Sequence, residues 1–197
     1  MIPVLIRFVL VFFLLANLAG CAGLVVGGAA AGANVVHDRR TTGTFLEDQV
    51  IETKTSIAIQ KHPTLSSPKQ AHINVTSYNN AVLLSGEVVK PELREEAEKL
   101  ARNMDKVKYV HNELIVAPPS TLRSRTTDTA ITAAVKTALL QINHIPDFDP
   151  LRVKVVTEKG TVYLFGLLTP AEAEAVTETV RRVKGVQQVV TLFEYIE

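Results

Sequence analysis

The chain has 197 residues, with 21 Lys and Arg against 20 Asp and Glu, a net charge of +1 and one cysteine. That length allows one or two domains. Balanced charge excludes the strongly basic surface of a typical nucleic-acid binder, and a single cysteine excludes a disulfide framework.

Residues 1–7 carry one positive charge, Arg7, and residues 8–15 (FVLVFFLL) are all apolar. A weakly positive start, an apolar core of about 7–15 residues and a small-residue cleavage site make a secretory signal peptide. A membrane span needs about 20 apolar residues, more than this run provides. The run closes on Leu18-Ala19-Gly20-Cys21, which resembles the lipobox of bacterial lipoproteins. The resemblance implies cleavage before Cys21, a diacylglycerol on its thiol and acylation of the new amino terminus. Several chains anchor a protein stably where one does so only marginally. In that family an Asp after the cysteine accompanies inner-membrane retention. Ala22 stands there, so the resemblance implies an outer-membrane address facing the periplasm.

Residues 22–36 (AGLVVGGAAAGANVV) are small and apolar without a sustained period. They read as a flexible tether or as a segment against the bilayer, the tether being the plainer reading. Residues 37–44 add charges and turn formers. Arg39 and Arg40 there fit a solvated linker or a contact with lipid phosphates. From Asp48 onward Ile51, Thr55, Ala58 and Ile59 mark one face of a helix, which His62-Pro63 ends. Ile73-Asn74-Val75-Thr76 alternates as a strand, Tyr78-Asn79-Asn80 makes a tight turn, and residues 81–88 form a second strand. Pro91 opens a helix whose buried face is Leu93, Ala97, Leu100, Ala101 and Met104. Residues 107–116 read as a third strand, stopped by Pro118-Pro119.

The second half repeats the first. Asp128, Ile131, Val135, Ala138 and Leu139 follow Asp48, Ile51, Thr55, Ala58 and Ile59 at a constant spacing of 80 residues. Val153 and Val155 answer Ile73 and Val75. Gly160 answers Asn80, which supports a turn needing positive φ. Val162, Leu164 and Gly166 answer Val82, Leu84 and Gly86. The spacing then becomes 79, with Val176, Val180, Val183, Val186 and Val189 against Ala97, Ala101, Met104, Val107 and Val110. This is a tandem repeat of αββαβ units. The expected division is signal 1–20, lipidated tether 21–46, first unit 47–116, linker 117–127 (APPSTLRSRTT) and second unit 128–197.

Each unit resembles a BON domain. The carrying features are Ile131-x-x-x-Val135 on the helix, the hairpin endings Leu84-Ser85-Gly86 and Leu164-Phe165-Gly166, and a closing strand after Val107-x-x-Val110 and Val186-x-x-Val189. Two such units behind a lipobox resemble the dual-BON outer-membrane lipoproteins. The resemblance implies an α+β fold in which each domain is a small three-stranded mixed sheet with two helices. It also implies a non-enzymatic envelope protein that binds anionic phospholipid and supports envelope integrity.

The residues themselves offer little catalytic chemistry. The five histidines are scattered without metal-site spacing. Ser85, His111 and an Asp make a triad only on paper, because no nucleophile elbow surrounds the serine. No Gly-rich phosphate loop follows a strand, and Gly86 and Gly166 read as packing positions where strand meets helix. No enzyme activity, cofactor or metal site is therefore expected. The candidate phospholipid surface is Arg123 and Arg125, just before the first helix of the second unit, with Lys136 on that helix. A helix start suits a phosphate, although Thr127 or Asp128 is expected to cap it and Asp128 would repel a phosphate. Val156, Tyr163 and Phe165 form an apolar sheet face expected to meet the other repeat, a lipid or an envelope protein partner. Two functions follow: a lipoprotein binding anionic phospholipid, or a membrane-tethered adaptor for an envelope assembly.

Overall fold

The computed structural model describes residues 38–197. The signal, Cys21 and the tether up to His37 lie outside the described residues. The chain folds as α1 (Thr42–Lys61), β1 (Ala71–Tyr78), β2 (Ala81–Val88), α2 (Pro91–Arg102) and β3 (Tyr109–Val116). It then repeats as α3 (Leu122–Leu139), a 3₁₀ turn (Pro150–Arg152), β4 (Lys154–Glu158), β5 (Thr161–Leu168), α4 (Pro170–Arg181) and β6 (Gln188–Tyr195).

Both first helices begin about six residues earlier than the apolar period suggests. Thr41 and Thr121 are the N-caps, accepting from the backbone N–H of Thr44 and Ser124. A threonine oxygen there satisfies one of the orphan donors of the first turn. Residues 42–47 and 122–127 bury no side chain, so the apolar period begins only at Asp48 and Asp128. Pro91 and Pro170 occupy the start of the second helices, where a missing N–H is harmless.

Each unit forms a mixed three-stranded sheet, in order β1-β2-β3 and β4-β5-β6. The first pair is an antiparallel hairpin and the second pair is parallel. The hairpin turns are Asn79-Asn80 and Lys159-Gly160, all four at positive φ, as a two-residue turn matched to strand twist requires. Asp48 and Asp128, both buried inside their helices, lock these turns. Asp48 accepts from the N–H groups of Asn79 and Asn80 at 2.8 Å. Asp128 accepts from Lys159 N at 3.1 Å and Gly160 N at 2.9 Å.

Gly86 and Gly166 do not mark contacts between strand and helix. Gly86 has φ +120°, and a Cβ on it would run into the carbonyl oxygen of His72 on the neighbouring strand. A Cβ on Gly166 would lie 2.9 Å from Leu168 Cγ and 3.2 Å from the Arg152 carbonyl. The paired backbone forbids a side chain at Gly86, whereas at Gly166 the crowding comes first from the Leu168 side chain.

Two cores lie between sheet and helices. Ile51, Ile59, Val82, Leu84, Val88 and Ala97 fill the first. Ile131, Val135, Leu139, Val162, Leu164 and Val176 fill the second. The other sheet faces meet each other. Tyr78 and Leu83 pack against Tyr163 and Phe165, with Val156 at the margin, and the Tyr78 and Phe165 rings stack at 5.7 Å. Covered on both faces, β2 is buried at every position.

Candidate functional site

Helix α3 gathers the residues singled out for phospholipid. Arg123 and Arg125 lie in its first turn rather than ahead of it, and neither Thr127 nor Asp128 is its cap. Asp128, the one carboxylate in the helix, is turned inward onto the β4–β5 turn. It is buried, so the carboxylate expected to repel a phosphate is absent from the helix surface. Arg123, Arg125 and Lys136 are all exposed, and Arg125 also donates to the Ser120 carbonyl at 3.1 Å.

The rest of the exposed face is apolar in practice. Leu122 is 79% exposed and Leu140, at the C-cap, is 68% exposed. Between them stand exposed Ala130, Ala133 and Ala134. The hydroxyls of Thr126, Thr129 and Thr137 donate back to the carbonyls of Leu122, Arg125 and Ala133. This is the i−4 bonding of a helical threonine, and it leaves the methyl groups outward. At 3.6 residues per turn, Leu122 and Leu140 align. Arg125 and Lys136 fall about 50° to one side of that line and Arg123 about 100° to the other. Arg125 and Lys136 therefore share a face, which Arg123 does not.

The seam between the sheets holds a charged cluster beside its apolar patch. Glu87 is fully buried. Its carboxylate accepts from Ser120 N at 2.9 Å and pairs with Lys159 Nζ at 3.0 Å, while His72 Nδ1 lies at 3.4 Å. Burial pushes Glu87 upward, but the Ser120 N–H and the Lys159 ammonium outweigh it and hold the carboxyl below its ordinary value. Glu158 goes the other way. Burial first, then the charge of Glu87, raises its pKa. One of its oxygens accepts from Asn74 Nδ2 at 2.7 Å. Burial, and then Arg125, lowers the pKa of His72. Burial, and then the Glu113 and Glu158 charges, pushes Tyr163 up to about 12. At the far end of the seam Lys154 Nζ reaches Glu52 at 2.7 Å and the Ser77 carbonyl at 3.0 Å. Histidine spacing along the sequence gave no metal ligands. The fold nevertheless brings His72, Glu87 and Glu158 together from three strands.

Arg39 and Arg40 are held in ion pairs rather than standing free in a linker. Arg39 makes a two-pronged bond to Glu172, at 2.6 and 2.9 Å, and donates to the Leu167 carbonyl, all in the second unit. Arg40 pairs with Asp48 of the first unit at 2.7 Å and lies 4.0 Å over the Tyr78 ring. Consecutive arginines thus tie the entry of the chain to both units. Burial raises Glu172, but Arg39 and the Thr169 N–H more than offset this and keep it below its ordinary value. A depressed folded-state pKa contributes stability above the unfolded value, lost as pH falls through the folded one. Arg39→Ala should therefore cost about 3 kcal/mol at pH 7, the low end for breaking a buried pair because Arg39 itself is a quarter exposed. Urea midpoints should show the gap between variant and parent narrowing as pH drops below the ordinary carboxylate range. A gap independent of pH would refute the pairing.

The comparisons decide the family. The model of the BON domain matches twice, over residues 47–118 and 127–197. The chain belongs to the BON-domain family. The chain is 33% identical over 180 residues to the outer membrane lipoprotein DolP of Haemophilus influenzae, covering 91% of each chain. It is 34% identical to a 21 kDa hemolysin of Actinobacillus pleuropneumoniae, covering 81% of this chain and 80% of that protein. It is 30% identical to osmotically-inducible protein Y of Escherichia coli, over 81% of this chain and 78% of that protein. In BON terms, α3 is the first helix of the second domain and the seam joins the two domain sheets. Among the described residues no helix is long and apolar enough to cross a membrane.

Proposed function

We propose that this protein is an outer-membrane lipoprotein, anchored in the periplasmic leaflet through Cys21, that lays α3 of its second BON domain on anionic phospholipid and so supports envelope integrity. Similarity to DolP along almost the full length supports the address. The observation that carries the lipid reading is α3 itself: three exposed cations, exposed leucines at both ends, methyl groups between, and its one carboxylate turned inward. A helix of this kind lies in the interface plane, apolar strip down and basic side chains at headgroup level. A groove of about 750 Å³ runs beside it, between α3 and α4, lined by Ala134, Ala138, Ile142, Ala175 and Val183 among others. The adaptor reading has less to work with, because Tyr163 and Phe165 are covered by the first domain. No enzymatic step is assigned.

The test removes the anchor. The chain from Ala22 onward, without lipid, should cosediment with vesicles containing anionic phospholipid and not with neutral ones. Attraction to an anionic surface is worth about 1 kcal/mol per Lys or Arg, so replacing Arg123, Arg125 and Lys136 by alanine should weaken binding about a hundredfold. Raising the salt should have the same sense, as screening shortens to about 3 Å at 1 M. Absence of binding to either vesicle would refute the lipid reading, leave Cys21 as the membrane contact and turn the search to protein partners.

A further inference from the structure

The cluster in the seam has the make-up of a cation site. One donor atom each from His72, Glu87 and Glu158 lies within 4.8 Å of the others. His72 is on β1, Glu87 on β2 and Glu158 at the end of β4, so the donors come from both domains and from rigid strands. A group of acids alone would mean little. Here a second observation is independent of the grouping. Glu158 is only 7% exposed, yet among the described residues its Oε1 has no hydrogen-bond partner. Burying an unsatisfied carboxylate oxygen is costly, and a ligand to that oxygen would remove the cost.

The donor set selects the ion. One imidazole nitrogen and two carboxylate oxygens suit a borderline ion such as zinc, whereas magnesium demands near-octahedral oxygen ligation. Around zinc at about 2.1 Å, tetrahedral ligand atoms sit about 3.4 Å apart. His72 Nδ1 and Glu87 Oε2 already stand at 3.4 Å. The Glu158 donor lies within 4.8 Å of both, so a bound zinc would draw it closer. Lys159 competes for Glu87 at 3.0 Å, and a zinc ion would displace it or share the carboxylate. The ion has a way in: a cleft of about 240 Å³ opens on His72 and Glu158, walled by Arg125, Thr129 and Thr132.

The geometry points to a zinc site at His72, Glu87 and Glu158 that clamps the two domains together, with water as a fourth ligand. Because its ligands span the seam, the ion binds only the docked arrangement and stabilises it by mass action.

The test uses the full chain in detergent with Cys21→Ser, so that no thiol competes for metal. Titrated with zinc alone, it should bind one ion per chain and unfold at a temperature that rises with zinc concentration. Glu158→Gln and His72→Gln should each weaken binding at least tenfold and flatten that rise. Glutamine at 158 can still accept from Asn74, so the seam keeps its bond, and a circular dichroism spectrum matching the parent checks the fold. Zinc binding that survives both substitutions, or no zinc binding, would overturn the site. An equal, Glu158-dependent rise with magnesium would overturn the assignment to zinc.

Discussion

Phe165→Ala is expected to lower the melting temperature by roughly 10 °C. Phe165 is 1% exposed and lies in the seam with Tyr78, Leu83 and Tyr163. Deleting a buried phenylalanine ring costs about 3–5 kcal/mol, transfer plus cavity. For a protein of 150–250 residues each kcal/mol is worth about 2–4 °C. Part of the loss is the stacked contact with Tyr78 at 5.7 Å, which adds about 0.5–1.5 kcal/mol beyond burial. The substitution should act on docking rather than on either domain core, because Val162 and Leu164 keep their places against the helices. Thermal unfolding followed by circular dichroism gives the size of the effect. Proteolysis between β3 and α3 gives the mechanism, since loosened domains expose residues 117–121 to cutting. An unchanged midpoint, or a lowered midpoint with an unchanged cleavage rate, would refute a seam held by this ring.

The doubled architecture was legible because the same faces must be buried twice. Ile51 and Ile131, Thr55 and Val135, Leu84 and Leu164 meet equivalent cores, so their spacing survives in the sequence. The turn at Asn79-Asn80 was legible for a similar reason: positive φ restricts the residue type, and Gly160 answers it. Helix starts were not legible. Thr41 and Thr121 cap first turns that bury no side chain, and capping leaves no apolar period. The fate of Arg39 was hidden because Glu172 stands 133 residues away. Arg40 was hidden although Asp48 is only eight residues on, because a polar residue inside a helix gives no sign of facing inward. The α3 surface was partly legible: Arg125 and Lys136 follow from spacing, but the inward turn of Asp128 depends on a hairpin 31 residues downstream. The cluster of His72, Glu87 and Glu158 was invisible, since strand alternation marks a sheet face as polar and cannot say that a second sheet buries it.

Asp48→Ala is expected to be the most damaging substitution in the first domain, costing about 3–5 kcal/mol. Asp48 accepts from Ser77 Oγ at 2.6 Å, from the N–H groups of Asn79 and Asn80 at 2.8 Å, and from Arg40 at 2.7 Å. Alanine would leave the hairpin turn without its acceptor and the buried Arg40 guanidinium without this carboxylate. Asp48→Asn should fail too, because its amide nitrogen cannot accept where an oxygen now faces an N–H or a guanidinium. The second domain supplies an internal control. Asp128 takes the same two turn N–H bonds, and among the described residues no arginine pairs with its carboxylate. Asp128→Ala should therefore cost about 1–3 kcal/mol, the range for unsatisfied buried donors. Urea midpoints measured side by side separate the turn lock, common to both domains, from the charge pair particular to the first. Equal losses at the two positions would mean that Arg40 contributes nothing through Asp48, and that its tie to the first domain runs through its other contacts, the Tyr78 ring among them.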